Sequence, residues 1–295
     1  MEQAVDGAMT TRTIFDEKSE NGLVLAGKYM PEELQAEILC HVDYKSLLNC
    51  QLVCKRWRIL IQSYVWRKKA EVTLGRLLLV DKDAHWHIYY LMCKKKPFER
   101  NFIKNSSGEH GQKKYWTIIS DGGDGWTVEN PPVGVPPLPT NDPVLAGKQF
   151  CFATSYRTSL KVQRIDLEAE GLTPYVLDNW QPPIVVSEWY SCRWDCPAAY
   201  NCSIKLLDQN DKTIDKFQFI DTLEGEKQNK WHQVMHEFTN YGPGLRTISF
   251  YHGGMDHSFW AGHYGSKMAG ASVYMKIPTA RHCDDEDSNS LLNMD

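Results

Sequence analysis

No apolar stretch in the 295-residue chain approaches the roughly 20 residues needed to cross a bilayer. The first 30 residues are polar and acidic and hold no apolar signal core. These absences predict a soluble protein of the cytosol or nucleus without membrane insertion. Positive charge is not in excess either: 33 Lys and Arg stand against 37 Asp and Glu, a formal net charge of −4. That balance argues against a nucleic-acid module built on a basic surface, and Lys94-Lys95-Lys96 reads as a solvated connector.

Paired Cys-x-x-Cys motifs are missing as well. An odd count of nine Cys without a secretory signal reads as reduced thiols, and the sequons Asn105-Ser106-Ser107 and Asn201-Cys202-Ser203 are expected to stay unmodified. Cys192, Cys196 and Cys202 with His232 and His236 lack the spacing of a zinc site. Alternation along a strand puts the two His on one face without implying a metal. No recognised nucleophile motif surrounds any Cys or Ser. Asp166 and Glu168 read as exposed strand residues, not as a glycosidase pair. The chain is therefore expected to be non-catalytic, with no metal and no cofactor.

What is present is enough chain for two domains and an abundance of aromatics, 10 Trp, 14 Tyr and 10 Phe, crowded after residue 85, which suits a β-rich domain. Residues 1–22 and the acidic tail 279–295 hold little that could be buried and are expected to be disordered. Residues 23–71 read as short helices. Pro31 suits a first turn, Glu32 and Glu33 suit the positive helix end, and Leu34, Ile38, Leu39 and Val42 recur at helical spacing. Asp43 can cap a second helix through Leu47, Leu48, Leu52 and Val53, and Cys54 to Trp66 gives a third. Three such helices form a poor stand-alone core, so their leftover apolar positions need a partner.

Residues 72–94 read as a connector carrying an apolar run, Leu74 to Val80, and an aromatic stretch, Trp86 to Tyr90. From 95 to 278 the pattern changes to runs of strand length, among them Phe150–Ser155, Lys161–Leu167, Pro183–Tyr190, Cys202–Leu207 and Thr247–His252. Turn signals at Asp121-Gly122-Gly123-Asp124-Gly125, Gln209-Asn210-Asp211-Lys212, Tyr241-Gly242-Pro243-Gly244 and Gly253-Gly254 divide them, and Pro131 to Pro143 reads as an irregular loop. The fold class expected is multidomain α+β: a small N-terminal helical domain, then an antiparallel β-sandwich.

Met30-Pro31-Glu32-Glu33-Leu34, Ile38-Leu39, Leu47-Leu48, Leu52-Val53-Cys54-Lys55-Arg56-Trp57-Arg58 and Trp66 together resemble the F-box. That resemblance implies docking on the adaptor subunit of a cullin-RING ubiquitin ligase, and through it the cullin, with Pro31, Leu34, Ile38, Leu39, Leu47, Leu48, Val53 and Trp57 as the contact set. The later part resembles the F-box-associated domain of the sugar-recognising F-box proteins. The match rests on Gly122-Gly123-Asp124-Gly125-Trp126, Arg164 through Gly171, Trp189-Tyr190-Ser191, Asn240 through Gly244, His252-Gly253-Gly254 and Phe259-Trp260-Ala261-Gly262. It implies a jelly-roll-like sandwich and, in some members, binding of the chitobiose core of high-mannose N-glycans on glycoproteins. Other members bind glycans weakly or not at all.

Carried onto this chain, the resemblance puts sugar contacts at Phe259, Trp260 and Ala261, at Arg193, Trp194 and Asp195, and at Tyr156. Some sugar-binding members carry Lys where Ala261 stands, and Trp194 is an unexpected bulky residue that either extends a stacking surface or narrows the pocket. A sugar needs an aromatic face against its C–H groups and polar groups at its hydroxyls. Trp260 with Phe259 would supply the first and Asp195 with Arg193 the second. From the residues alone Trp260 is equally a core residue, and Arg193 with Asp195 equally a solvated pair. The implied function is a cytoplasmic receptor that delivers glycoproteins for ubiquitination in ER-associated degradation. A receptor for protein surfaces without sugar binding, and a metal- or thiol-dependent enzyme, are the alternatives.

Overall fold

The computed structural model describes residues 22–25, 27–78 and 85–278, which divide into two compact units, 22–78 with 85–94 and 95–278. The expected disordered ends fall, but for Gly22, outside the described residues. Among the described residues no helix is long and apolar enough to cross a membrane.

The first unit opens with a two-strand hairpin, β1 Val24–Leu25 and β2 Lys28–Tyr29. Helix α1, Glu32–His41, starts after Pro31 with Glu32 and Glu33 in its first turn and buries Gln35, Ala36, Leu39 and Cys40. Asp43 caps α2, Tyr44–Cys50, accepting the Lys45 and Ser46 N–H groups at 3.0 and 3.1 Å. The third helix runs beyond Trp66. Helix α3, Lys55–Leu60, passes through a π-helical segment, Ile61–Val65, into α4, Trp66–Leu74, which Gly75 ends at φ 68°.

The stretch read as a connector contributes a further helix to this unit, α5, Trp86–Lys94. Its Trp86 and Tyr90 rings lie 6.1 and 5.4 Å from the fully buried Trp66 ring. That aromatic packing, and not local periodicity, makes it part of the helical core.

The second unit is a β-sandwich. Its strands are β3 Thr117–Asp121, β4 Thr127–Glu129, β5 Cys151–Ala153, β6 Ser159–Asp166, β7 Ile184–Ser191, β8 Ala198–Leu207, β9 Thr213–Leu223, β10 His232–Phe238, β11 Thr247–Asp256 and β12 Lys267–Met275. They form two antiparallel five-stranded sheets, ordered β10-β7-β12-β5-β4 and β3-β6-β11-β8-β9. A short helix α6, Pro174–Asn179, which the strand pattern does not predict, starts where Thr173 accepts from the Val176 N–H and Pro174 takes the first turn.

Gly253-Gly254, read as a turn, lies inside the central strand β11. A Cβ on Gly253 would come within 2.1 Å of the Ser159 carbonyl, and one on Gly254 within 2.0 Å of the Ala199 carbonyl. Glycine here is a close-approach device between flanking strands. The Pro-rich loop is irregular as expected, yet it is clamped down: Trp231 Nε1 donates to the Pro136 carbonyl and Trp189 Nε1 to Asp142, both at 2.8 Å.

Between the sheets lies a polar cluster with no exposure. Glu188 accepts from Tyr200 Oη at 2.6 Å and pairs with His252 Nδ1 at 2.5 Å. Lys161, cross-strand neighbour of His252, holds its Nζ over the rings of Phe152, Trp126 and Trp116 at 2.8, 4.1 and 5.0 Å. Nζ has no hydrogen-bond partner among the described residues, and burial pushes the amine well below its ordinary pKa of 10.5. Because an unsatisfied buried donor costs about 1–3 kcal/mol, Lys161→Met is expected to raise the unfolding free energy by that amount in a denaturant titration. A loss of stability would show that the amine is satisfied through its aromatic surroundings.

Candidate functional site

Six loops meet at one end of the sandwich: β3 to β4, β4 to β5, β5 to β6, β7 to β8, β9 to β10 and β11 to β12. The last is built by its own strand end. Asp256 Oδ1 accepts the N–H groups of Ser258 and Phe259 at 2.9 and 2.6 Å, and Phe259 turns to φ 53°. Phe259 and Trp260 are thereby left 67% and 45% exposed, which settles Trp260 as a loop residue and not a core one.

Asp124 and Ser155, from two neighbouring loops, hold this one in place. Asp124 Oδ2 accepts the Gly262 N–H at 2.6 Å, while Ser155 Oγ donates to the Gly262 carbonyl at 2.7 Å and accepts from the Asp124 N–H at 2.9 Å. Tyr156 follows Ser155 and is half-buried against Gly123, where a Cβ would stand 3.1 Å from its ring.

Arg193 and Asp195 form a bidentate pair, Nε to Oδ1 and Nη2 to Oδ2, each at 2.8 Å. The guanidinium holds the Asp195 carboxyl below its ordinary range. Gln228 Nε2 fixes the loop backbone by donating to the carbonyls of Arg193 and Trp194 at 3.0 and 3.3 Å. Tyr264 bridges the two halves. Trp260 meets its ring edge-on at 5.5 Å and the Arg193 guanidinium lies over it at 4.6 Å.

The structure thus brings Trp260, Arg193 and Asp195 together through Tyr264, with Phe259, Ala261 and Trp194 exposed beside them and Tyr156 one loop away. The sequence reading missed Tyr264, Asp124, Ser155 and Gln228. Of these only Asp124 carried a signal, its place in a glycine-rich turn; the others matter through contacts to distant segments. The result is an exposed platform; two clefts lie elsewhere, one of about 500 Å³ in the helical unit lined by Glu32, Glu37 and Tyr64, the other lined by Lys104, Tyr115 and Arg164.

Stacking surface beside a fixed charge pair suits non-covalent recognition. The buried Cys192 thiol, by contrast, is pushed up to about 12 by burial, so it is not a thiolate at neutral pH. His232 is hydrogen-bonded to the Lys227 carbonyl and His236 is stacked on Phe217 at 4.2 Å.

On the helical unit, Pro31, Leu34, Ile38 and Val53 are exposed. Leu48 is half-buried, and Trp57 is half-buried with Nε1 donating to the Gln35 side chain and the Gly22 carbonyl, each at 3.0 Å. Leu39 and Leu47, also in the expected contact set, lie elsewhere in the unit. Both are buried in the unit's own core, Leu47 completely. Leu52, outside that set, is 82% exposed next to Val53.

Two family models match the chain: the F-box domain over residues 29–69 and the F-box associated region over residues 93–275. F-box only protein 6 of Rattus norvegicus is 36% identical over 258 residues, 86% of this chain and 88% of that protein. F-box only protein 44 of Homo sapiens is 35% identical over 255 residues, 84% of this chain and 96% of that protein. Among solved structures, the CBM22-1 xylan-binding domain of Paenibacillus barcinonensis Xyn10C covers 60% of this chain and 94% of its own at 14% identity and a TM-score of 0.34, too distant to transfer a ligand.

Proposed function

The chain belongs to the F-box only proteins that carry an F-box associated region, and from that footing we propose that it is a cytoplasmic substrate receptor capturing glycoproteins through high-mannose N-glycans. As an F-box protein it is the substrate-receptor subunit of an SCF-type ubiquitin ligase, joined through the adaptor to the cullin. The sugar reading rests on one observation above all: exposed Trp260 stands edge-on to Tyr264, whose ring carries the Arg193 guanidinium paired with Asp195.

The indole face would take the C–H face of a chitobiose ring, and the free N–H groups and lone pairs of the Arg193–Asp195 pair would replace water at acetamide and hydroxyl groups. The receptor makes and breaks no bond itself. Holding a client near the ubiquitin-charged enzyme makes transfer to a client lysine effectively intramolecular, and the clients fitting this chemistry are glycoproteins passing through ER-associated degradation.

Calorimetric titration of the full chain with a chitobiose-containing high-mannose glycan tests this. Micromolar binding is expected, weakened about 30-fold by Trp260→Ala, the roughly 2 kcal/mol cost of truncating an aromatic anchor. A folded wild-type chain that does not bind would end the sugar reading and leave adaptor docking intact.

A further inference from the structure

The sandwich has a second surface that the loop-end site does not use. In the sheet β3-β6-β11-β8-β9, Phe250 and His252 point into the core, so Thr247, Ser249, Tyr251 and Gly253 of β11 face outward. Pairing register sets Ser249 opposite Arg164 on one side and Lys205 on the other, and Lys205 opposite Lys216. Arg164, Ser249, Lys205 and Lys216 therefore form one outward row across four strands, about 14 Å long at normal strand spacing.

Two lysines directly opposite each other repel and cost stability. No described carboxylate forms an ion pair with either lysine, while Arg164 is paired with Asp211. Lys205 Nζ lies 5.3 Å from the Tyr251 ring. Ser249 sits in the middle of the row, fully buried, and its Oγ has no hydrogen-bond partner among the described residues; Asn201 Oδ1, on the same face, is likewise buried and unpartnered. Ile220 on β9 and Ile119 on β3 add apolar side chains exposed by 63% and 55% at the two edges.

We propose that this outer sheet face docks an extended acidic peptide of a client or partner protein, its carboxylates on Lys205 and Lys216. Charge complementarity selects the occupant. A carboxylate between the lysines turns a repulsive pair into two attractive ones, and the row matches about four residues of extended chain. The flanking isoleucines favour a segment in which acidic residues alternate with apolar ones. In a substrate receptor such a face would add a second foothold on a client, independent of its glycans.

Fluorescence anisotropy of the full chain with a labelled peptide of alternating aspartate and leucine tests the proposal. Binding that weakens with salt is expected. Lys205→Glu should weaken it at least about tenfold while the melting temperature holds or rises, because the new carboxylate faces Lys216. Lys216→Glu, which leaves the Lys205–Tyr251 contact intact, should do the same. A folded wild type that does not bind, unchanged affinity in both variants, or equal affinity for a single-stranded oligonucleotide of the same charge would overturn it. The high-mannose titration reads the loop end separately, so either surface can fail without the other.

Discussion

Glu188→Ala is expected to cost the β-domain about 3–5 kcal/mol of unfolding free energy, measured by denaturant titration, because it strips the shared partner from two buried polar groups at once. Glu188 has no exposure, and its two carboxylate oxygens separately engage Tyr200 Oη and His252 Nδ1. Without it the hydroxyl and the imidazole N–H lose their acceptor in a site water does not reach. Glu188→Gln, which keeps shape and one acceptor, should cost markedly less. A loss below about 1 kcal/mol for the alanine variant would mean the cluster is solvated in solution.

The same cluster sets a pH dependence whose sign follows from burial. His252 is held below its ordinary pKa of 6.5 and Lys161 well below 10.5, each chiefly by burial. Above about pH 6.5 the His252 contribution is fully present. As pH falls through that value the unfolded chain takes up a proton that the folded core refuses, and stability is lost. Lys161 acts in the same direction, its unfolded form holding the extra proton across the neutral range. The melting temperature should therefore fall between about pH 7.5 and 5.5, and the fall should shrink in His252→Gln.

Leu34→Asp is expected to abolish co-purification with the adaptor subunit while the helical unit keeps its thermal stability. Leu34 and Ile38 sit four apart on α1 and are about half exposed, so a carboxylate at 34 meets water in the free chain. In an apolar interface that charge is desolvated without a partner, a cost of at least about 3 kcal/mol, or more than a hundredfold in affinity. Leu47→Asp is the contrasting case. It puts the charge into the unit's own core and should lower thermal stability as well. Retained association with Leu34→Asp would remove α1 from the docking surface.

Local chemistry made the first unit readable. Pro31, the paired glutamates and the Asp43 cap act within one turn of helix, and the spacing of Leu34, Ile38 and Leu39 is a property of the segment alone. Alternation likewise marked β6, β7 and β11, and turn chemistry marked the loops at Gly122 to Gly125 and at Asp211. Phe259 and Trp260 were identifiable because a resemblance put them beside Gly262, outside any strand-like run.

What stayed hidden depends on partners far along the chain. Helix α5 belongs to the helical core only because Trp86 and Tyr90 find Trp66. Gly253 and Gly254, locally a turn, become strand when Ser159 and Ala199 close in from both sides. Tyr264 is one tyrosine among 14 until register brings Arg193 onto its ring, and Lys205 and Lys216 face each other only once β8 and β9 are paired. Periodicity, caps and composition are written into neighbouring residues, so the sequence by itself determined the two-part organisation, the helices of the F-box and the β class of the rest. Contacts between residues tens of positions apart depend on how strands align and which faces meet, and only the tertiary structure decided the platform, the buried Glu188 cluster and the cationic row.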